Sequence, residues 1–222
     1  MKYCFALILS FLSLSLFAIA EFEVTEYNGV RKENLEFSTV LLRQDWQYAP
    51  ISSSSFRKRA GCRKTADEQV LAGKWILPDG EFLLKHRLKR EGENSLRLSF
   101  QADCAGSGVA GRTVMVSTAF PVLEFGSRAI RADGKNISFS RKYNPKENAV
   151  QGKCRKMEIP LQTGVLYLEG PFWYRLQDNR AYGSANWSLR IYCSQKLKQG
   201  RIQSASISLL FRFVPYSSTP LP

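Results

Sequence analysis

Phe82-Leu83-Leu84-Lys85-His86-Arg87-Leu88-Lys89-Arg90-Glu91-Gly92-Glu93-Asn94-Ser95-Leu96-Arg97-Leu98-Ser99-Phe100-Gln101-Ala102 is the stretch that decides the fold. Phe82, Leu84, His86 and Leu88 share one parity, and Leu83, Lys85, Arg87 and Lys89 share the other. After Glu91-Gly92-Glu93-Asn94 the alternation resumes, with Leu96, Leu98, Phe100 and Ala102 against Arg97, Ser99 and Gln101. Successive side chains of a strand point to opposite faces, so each run reads as a strand with one face in a core and one in water. The Gly-Glu-Asn break between them predicts a hairpin.

The same pattern spreads outward from this hairpin. Trp187, Leu189, Ile191 and Cys193 alternate with Ser188, Arg190, Tyr192 and Ser194. Ile207, Leu209, Phe211 and Phe213 alternate with Ser208, Leu210 and Arg212. Pro78-Asp79-Gly80 separates Trp75-Ile76-Leu77 from Phe82, and Asp133-Gly134 separates Phe125–Arg131 from Ile137–Phe139. Both are tight-turn signals. Roughly ten to twelve strand candidates emerge, enough for two packed sheets. The expected fold is all-β: a two-sheet antiparallel β-sandwich of jelly-roll type. Ala49–Ala60, with its serine run, and Arg141–Lys156 read as long loops.

The N-terminus reads as a targeting segment. Met1-Lys2 is a short basic start, Phe5–Phe17 an apolar run, and Ala18-Ile19-Ala20 a small-residue cleavage signal. The pattern predicts a signal peptide over 1–20, cut before Glu21, and a secreted or periplasmic protein. No later apolar stretch approaches the length of a membrane-spanning helix. A chain of about 200 residues then fits one large all-β domain, expected over 21–214, followed by a proline- and serine-rich tail over 215–222.

Export changes what the cysteines mean. Cys4 leaves with the signal, and Cys62, Cys104, Cys154 and Cys193 remain. An even number in an oxidising compartment predicts two disulfides. Of the three connectivities, Cys62–Cys104 with Cys154–Cys193 is favoured, because sequence neighbours often pair in β meanders. There is one histidine and no CxxC, so zinc, haem and thioredoxin-like chemistry is poorly served, and no metal or other cofactor is expected.

The formal charge of +13 predicts an anionic partner. Outside the cell membrane that partner is a polysaccharide or another polyanion, such as lipopolysaccharide, rather than nucleic acid. Arg87 and Lys89 on one strand and Arg97 on the next would line a basic ribbon, with a merely solvated face as the competing reading. His86 sits on the apolar parity, which marks a packed residue rather than a catalyst. No GxSxG elbow occurs, and Ser107 lies in a plain Gly-Ser-Gly loop. Glu124, Glu169 and Asp178 are the candidate acids, Glu158 and Glu169 read equally as solvated strand residues, and the sequence shows no two of them facing each other as glycoside hydrolysis requires. Asn136-Ile137-Ser138 and Asn186-Trp187-Ser188 match the N-glycosylation pattern.

Pro171–Cys193 is the segment densest in chemistry. Trp173, Tyr174, Tyr182 and Trp187 offer aromatic platforms, and Asp178 and Arg180 offer an acceptor and a forked donor. Sugars take apolar ring contacts beside planar polar groups, so these six are the candidate ligand-binding residues. Asp178 and Arg180 equally suit a structural role, bridging each other to hold a wide loop.

Leu161-Gln162-Thr163-Gly164, Gly170-Pro171, Gln177-Asp178-Asn179-Arg180, Gly183 and Ser188–Tyr192 resemble the C-terminal part of β-sandwich accessory modules that accompany bacterial glycoside hydrolases. The resemblance covers the last third of the chain and implies a β-sandwich with a carbohydrate-binding role. The four cysteines depart from that pattern. The resulting expectation is a non-catalytic secreted module binding carbohydrate, preferably anionic glycan. The alternatives are a small polysaccharide lyase or hydrolase on the same scaffold, and a structural or interaction protein of the envelope.

Overall fold

A computed structural model describes residues 22–25, 27–52, 61–104 and 106–217, with only the backbone of Cys62. The expected signal peptide, most of the serine-rich and basic loop before Gly61, and the end of the expected tail lie outside the described residues. The chain is all-β and its ladders are antiparallel throughout. The strands are β1 (Glu23–Val24), β2 (Val30–Lys32), β3 (Leu35–Leu42), β4 (Tyr48–Pro50), β5 (Gly61–Lys64), β6 (Glu68–Leu77), β7 (Gly80–Gly92) and β8 (Ser95–Cys104). They continue with β9 (Thr113–Pro121), a single helical turn α1 (Val122–Phe125), β10 (Ala129–Ala132), β11 (Lys135–Ser138) and β12 (Ala149–Pro160). The last are β13 (Gly164–Asp178), β14 (Asn186–Tyr192), β15 (Ser194–Lys198) and β16 (Arg201–Pro215). No described helix is long and apolar enough to cross a membrane.

The opening stretch folds as its alternation predicts. β7 and β8 pair across the Glu93-Asn94 turn, with Leu88 opposite Leu98 and His86 opposite Phe100. β6 and β7 meet at Leu77 and Gly80, and β10 and β11 at Ala132 and Lys135. In the latter turn Asp133 and Gly134 both have positive φ, +46° and +81°, the conformation that matches the twist of a tight hairpin. Two segments differ from expectation. Ala149–Lys156 is the start of β12 rather than loop, and α1 replaces the beginning of the strand expected at Phe125.

The two-sheet jelly roll is not what forms. One sheet runs without a break through β1-β2-β3-β9-β14-β13-β16-β8-β7-β6-β5, with β4, β10, β11, β12 and β15 attached at its sides. It curls until its ends meet. Phe37 of β3 touches Phe211 of β16 across the interior, with ring centroids 5.2 Å apart, although β9, β14 and β13 separate them in the ladder. The corner lies in β13. Its first half, Gly164–Glu169, pairs with β16, and its second half, Trp173–Asp178, pairs on the same edge with β14. Gly170 stands between the halves at φ +136°, and a Cβ there would come within 2.9 Å of the Ser208 carbonyl oxygen. Only glycine meets both conditions cheaply.

A polar latch holds the ends of the curl together. Asn28 Nδ2 donates to the His86 carbonyl oxygen at 2.7 Å, and Gln69 Nε2 donates to Asn28 Oδ1 at 2.7 Å and to the Thr25 carbonyl oxygen at 2.9 Å. The Asn28 and Gln69 side chains are both buried. At the far corner, Gln162 and Thr163 donate their backbone N–H groups to Glu33 at 2.9 and 3.0 Å, tying the β12–β13 turn to the β2–β3 turn. Inside lies one large apolar cluster, with Trp75, Phe82, Phe120, Phe125, Phe139, Phe211 and Phe213 essentially without solvent contact.

Among the described residues no disulfide forms. Cys104, Cys154 and Cys193 are free thiols. Cys154 lies opposite Phe172 on one side of β13, and Cys193 follows the Tyr192 that pairs with Trp173 on its other side. Two strand spacings, about 9.5 Å, therefore separate the two cysteines, and a disulfide bridges Cα atoms no more than about 7 Å apart. Burial together with nearby Asp133 pushes the Cys154 thiol up to about 12, and burial raises that of Cys193 as well, so both stay protonated. Cys62 and Cys104 sit on β5 and β8, with β6 and β7 between them.

His86 is fully buried against Phe100, and neither ring nitrogen has a hydrogen-bond partner. Desolvation drives its pKa down to about 3. Unfolded, the ring takes up a proton below about pH 6.5. Above that pH the group does not affect stability. Between about 6.5 and 3 the unfolded state binds the proton and the native state does not, which costs about 1.4 kcal/mol per pH unit. Urea unfolding of the wild type should show this slope on acidification, and His86→Leu should flatten it.

Candidate functional site

β13 divides the site from the core by parity. Phe172, Tyr174, Leu176 and Asp178 point into the core and are buried, while Trp173, Arg175 and Gln177 take the other parity, Trp173 exposed, Arg175 half-buried and Gln177 buried at the base of the groove. Trp187 follows the inward rule from β14: it is buried and packs edge-on against Phe139 at 5.7 Å. Of the six residues singled out in Pro171–Cys193, Tyr174 and Trp187 are therefore core residues, while Trp173 and Tyr182 are exposed.

Asp178 and Arg180 form a structural clasp. Arg180 donates to the buried Asp178 carboxylate from its backbone N–H at 3.0 Å, from Nε at 2.9 Å and from Nη2 at 2.5 Å. Its remaining donors reach the Arg141 carbonyl oxygen at 2.5 Å and the Ser140 carbonyl oxygen at 2.8 Å. The hydrogen bonds it donates to Asp178 raise the guanidinium pKa further. The pair thus fastens Ser140 and Arg141 to the 3₁₀ turn Asn179–Tyr182 and takes up four of the five guanidinium N–H donors.

The basic ribbon on β7 and β8 faces water but is largely neutralised. Arg87 and Arg63 both bind Glu68, and Arg97 grips Glu91 at 2.6 and 2.8 Å. Lys89 is exposed beside them, and its charge helps lower the Glu91 pKa, after the Arg97 hydrogen bond. The candidate acids are dispersed in the same way. Glu169 binds Arg212 at 2.6 Å, Glu158 lies between Arg131 and Lys156, and Asp178 is held by Arg180. Among the described residues no cluster of histidine, cysteine and acids could hold a metal ion.

A groove of about 580 Å³ opens where β3, β4, β13, β14 and the Asn179–Tyr182 turn meet. Trp46, Tyr48 and Tyr182 supply exposed rings, Arg175 and Arg190 the charge, and Gln177 an amide. Arg175 and Arg190 are directly opposite each other on paired strands. Like charges in that position repel, yet the lining contains no carboxylate. Arg190 donates to Gln177 Oε1 at 3.0 Å, but Nε of both arginines is buried without a hydrogen-bond partner. Buried donors left unmade cost about 1–3 kcal/mol each. These Nε atoms are closed to solvent, so what the groove presents is the paired positive charge of the two guanidinium groups, which is complementary to an anion.

Trp46 adds backbone strain to this picture. It occupies the tight β3–β4 turn at φ +67°, 63% exposed, with the Arg112 guanidinium 3.7 Å above its ring. Asp45 shapes that turn by binding Arg43 at 3.0 Å and accepting the Gln47 N–H at 3.1 Å. A bulky side chain in the left-handed region costs roughly 1–2 kcal/mol, and exposure returns none of it through packing in the core. Sequence reasoning did not single out Trp46, Tyr48, Arg175 or Arg190. The available signal was that Arg175 and Gln177 share the parity of Trp173.

Two substitutions separate the clasp from the groove. Arg180→Ala leaves a buried carboxylate with one backbone donor and should lower unfolding stability by about 3 kcal/mol, read by urea titration. Trp46→Gly relieves backbone strain while giving the unfolded chain more freedom, so stability should stay within about 1 kcal/mol of wild type, read by the same titration.

No protein-family model matches the chain, and no curated protein matches its sequence. Among solved structures it is similar to the crystal structure of a "putative aldose 1-epimerase" from Escherichia coli K12, at 8% identity, over 90% of this chain and 83% of that one, with a TM-score of 0.47. The likeness concerns the course of the chain and transfers no residue role.

Proposed function

We propose that the chain is a non-catalytic, exported binding module whose groove between Trp46, Tyr182 and β13 takes an acidic saccharide. The observation that carries this reading is the facing pair Arg175 and Arg190 in a groove with no carboxylate among its lining residues. A carboxylate or sulfate group matches the guanidinium fork. The exposed rings of Trp46, Tyr48 and Tyr182 would carry the apolar faces of the sugar. The lining has neither histidine nor paired acids, which favours binding over hydrolysis. Of the expected ligand residues, Tyr182 lines this groove, and Trp173 lies outside its lining. Asp178, Arg180, Tyr174 and Trp187 support the scaffold instead, while Arg87, Lys89 and Arg97 add to the general field of the molecule.

Calorimetric titration with a uronate oligosaccharide, a sulfated oligosaccharide and a neutral glucan oligosaccharide tests the proposal. One or both acidic ligands should bind, and more weakly as salt rises. Arg175→Met keeps the apolar stem and removes the donors. It should weaken binding about tenfold to a hundredfold, the worth of a charge-assisted hydrogen bond, without lowering the melting temperature. Equal binding of the neutral glucan would overturn the electrostatic reading. New unsaturated or reducing ends after incubation would overturn the non-catalytic one.

A further inference from the structure

The outward face of β13 does not stop at the groove. Trp173, Arg175 and Gln177 follow one another at every second position, so they form a row about 13 Å long on one side of the sheet. At the Trp173 end the register places Lys153 of β12 on one flank and Tyr192 of β14 on the other. Beside Trp173 lies a second hollow of about 480 Å³, to which Lys153, Arg155 and Pro171 also contribute. Asp133 borders this hollow, but its carboxylate is taken up by the backbone N–H groups of Arg155 and Lys156 at 3.0–3.2 Å. Tyr192 belongs to a small apolar cluster with Leu42 and Met115, separate from the main core, and Leu42 also lines the first groove. Tyr192, opposite Trp173 at the second hollow, thus packs on the cluster that includes Leu42 of the first.

The same chemical unit recurs across this face. The Arg112 guanidinium stands 3.7 Å from the Trp46 ring centroid, the Arg190 guanidinium 5.8 Å from that of Tyr48, and the Lys153 ammonium 4.7 Å from that of Trp173. The three rings are 63%, 44% and 53% exposed. Each unit offers a flat apolar surface beside a fixed positive charge. One sugar carrying one acidic group satisfies one such unit. Three units on one face match a ligand that repeats ring and acid at intervals.

We propose that this face binds an extended acidic polysaccharide over at least two subsites, one at Arg175 and Arg190 and the other at Trp173 and Lys153. The inference rests on the acidic-saccharide reading of the groove and adds that the ligand is a polymer rather than a mono- or disaccharide. In the second subsite the Trp173 indole takes the ring of a neighbouring unit, and the Lys153 ammonium takes its acidic group. Arg155 adds charge at the rim of the hollow.

Size-graded oligomers, from disaccharide to octasaccharide, test this by calorimetric titration in two arms, one of oligouronates and one of sulfated oligosaccharides. The arm that binds identifies the acid. In that arm the affinity should rise at least tenfold between the disaccharide and the longer oligomers, then level off. Trp173→Ala, a change at an exposed position, should remove this gain and leave the disaccharide affinity unchanged. Lys153→Met should reduce the gain and its salt dependence. Arg175→Met should weaken every length alike. An affinity independent of length, yet still lost in Arg175→Met, overturns the extended site and leaves the acidic-saccharide reading standing. A length gain untouched by Trp173→Ala and Lys153→Met also overturns it. Failure of both arms to bind at any length overturns the two together.

Discussion

A β-strand has only two edges to offer, and β13 divides one of them between β16 and β14. Both partners need the same hydrogen-bonding groups, so each can have only half the strand. Where they part, at Gly170 and Pro171, the sheet must turn away from itself. That forced divergence makes the curl possible. It brings Phe37 onto Phe211 and lets one continuous sheet enclose its own core. It also leaves the second half of β13 as a straight run whose inner side chains belong to the core and whose outer side chains belong to the groove.

The molecule uses arginine in two ways along this short stretch. Arg180 has a buried acid and two carbonyl oxygens, and nearly all of its donor capacity is consumed within the protein. Arg175 and Arg190 lie close by in the fold with donors unmet and charges opposed. A guanidinium whose hydrogen bonds are complete fixes a loop; Arg175 and Arg190 fix none, and the acidic-saccharide proposal assigns them to the ligand. The difference comes from the turn after β13, which places Asp178 inside and Gln177 outside. A shift of one residue in register would exchange the two roles.

Much of the architecture was legible in residues Phe82–Ala102, because period-two alternation is a local property and needs no partner to be read. The hairpins at Gly80, Gly92 and Gly134 were legible for the same reason. The alternation Trp187, Leu189, Ile191 already placed Trp187 in the core, and its aromatic chemistry drew attention away from that. What could not be read was everything set by pairing between distant strands. The opposition of Arg175 and Arg190 depends on the β13–β14 register. The continuity of the sheet depends on how β13 shares its edge. Trp46 gave no periodic signal, since its exposure follows from a left-handed turn conformation that most sequences would assign to glycine or asparagine. The disulfide expectation came from counting cysteines, whereas bridging depends on distance.

The positions of Cys154 and Cys193 on either side of Phe172 bear on how the chain matures. Once β12, β13 and β14 are zipped together, an entire strand stands between the two sulfurs, and no oxidant can join them without prising that strand out. The order of events therefore matters in an oxidising medium. A chain that zips first is immune to this cross-link. One that is oxidised first carries a covalent loop where β13 must pass, and cannot reach the native ladder until the bond is reduced.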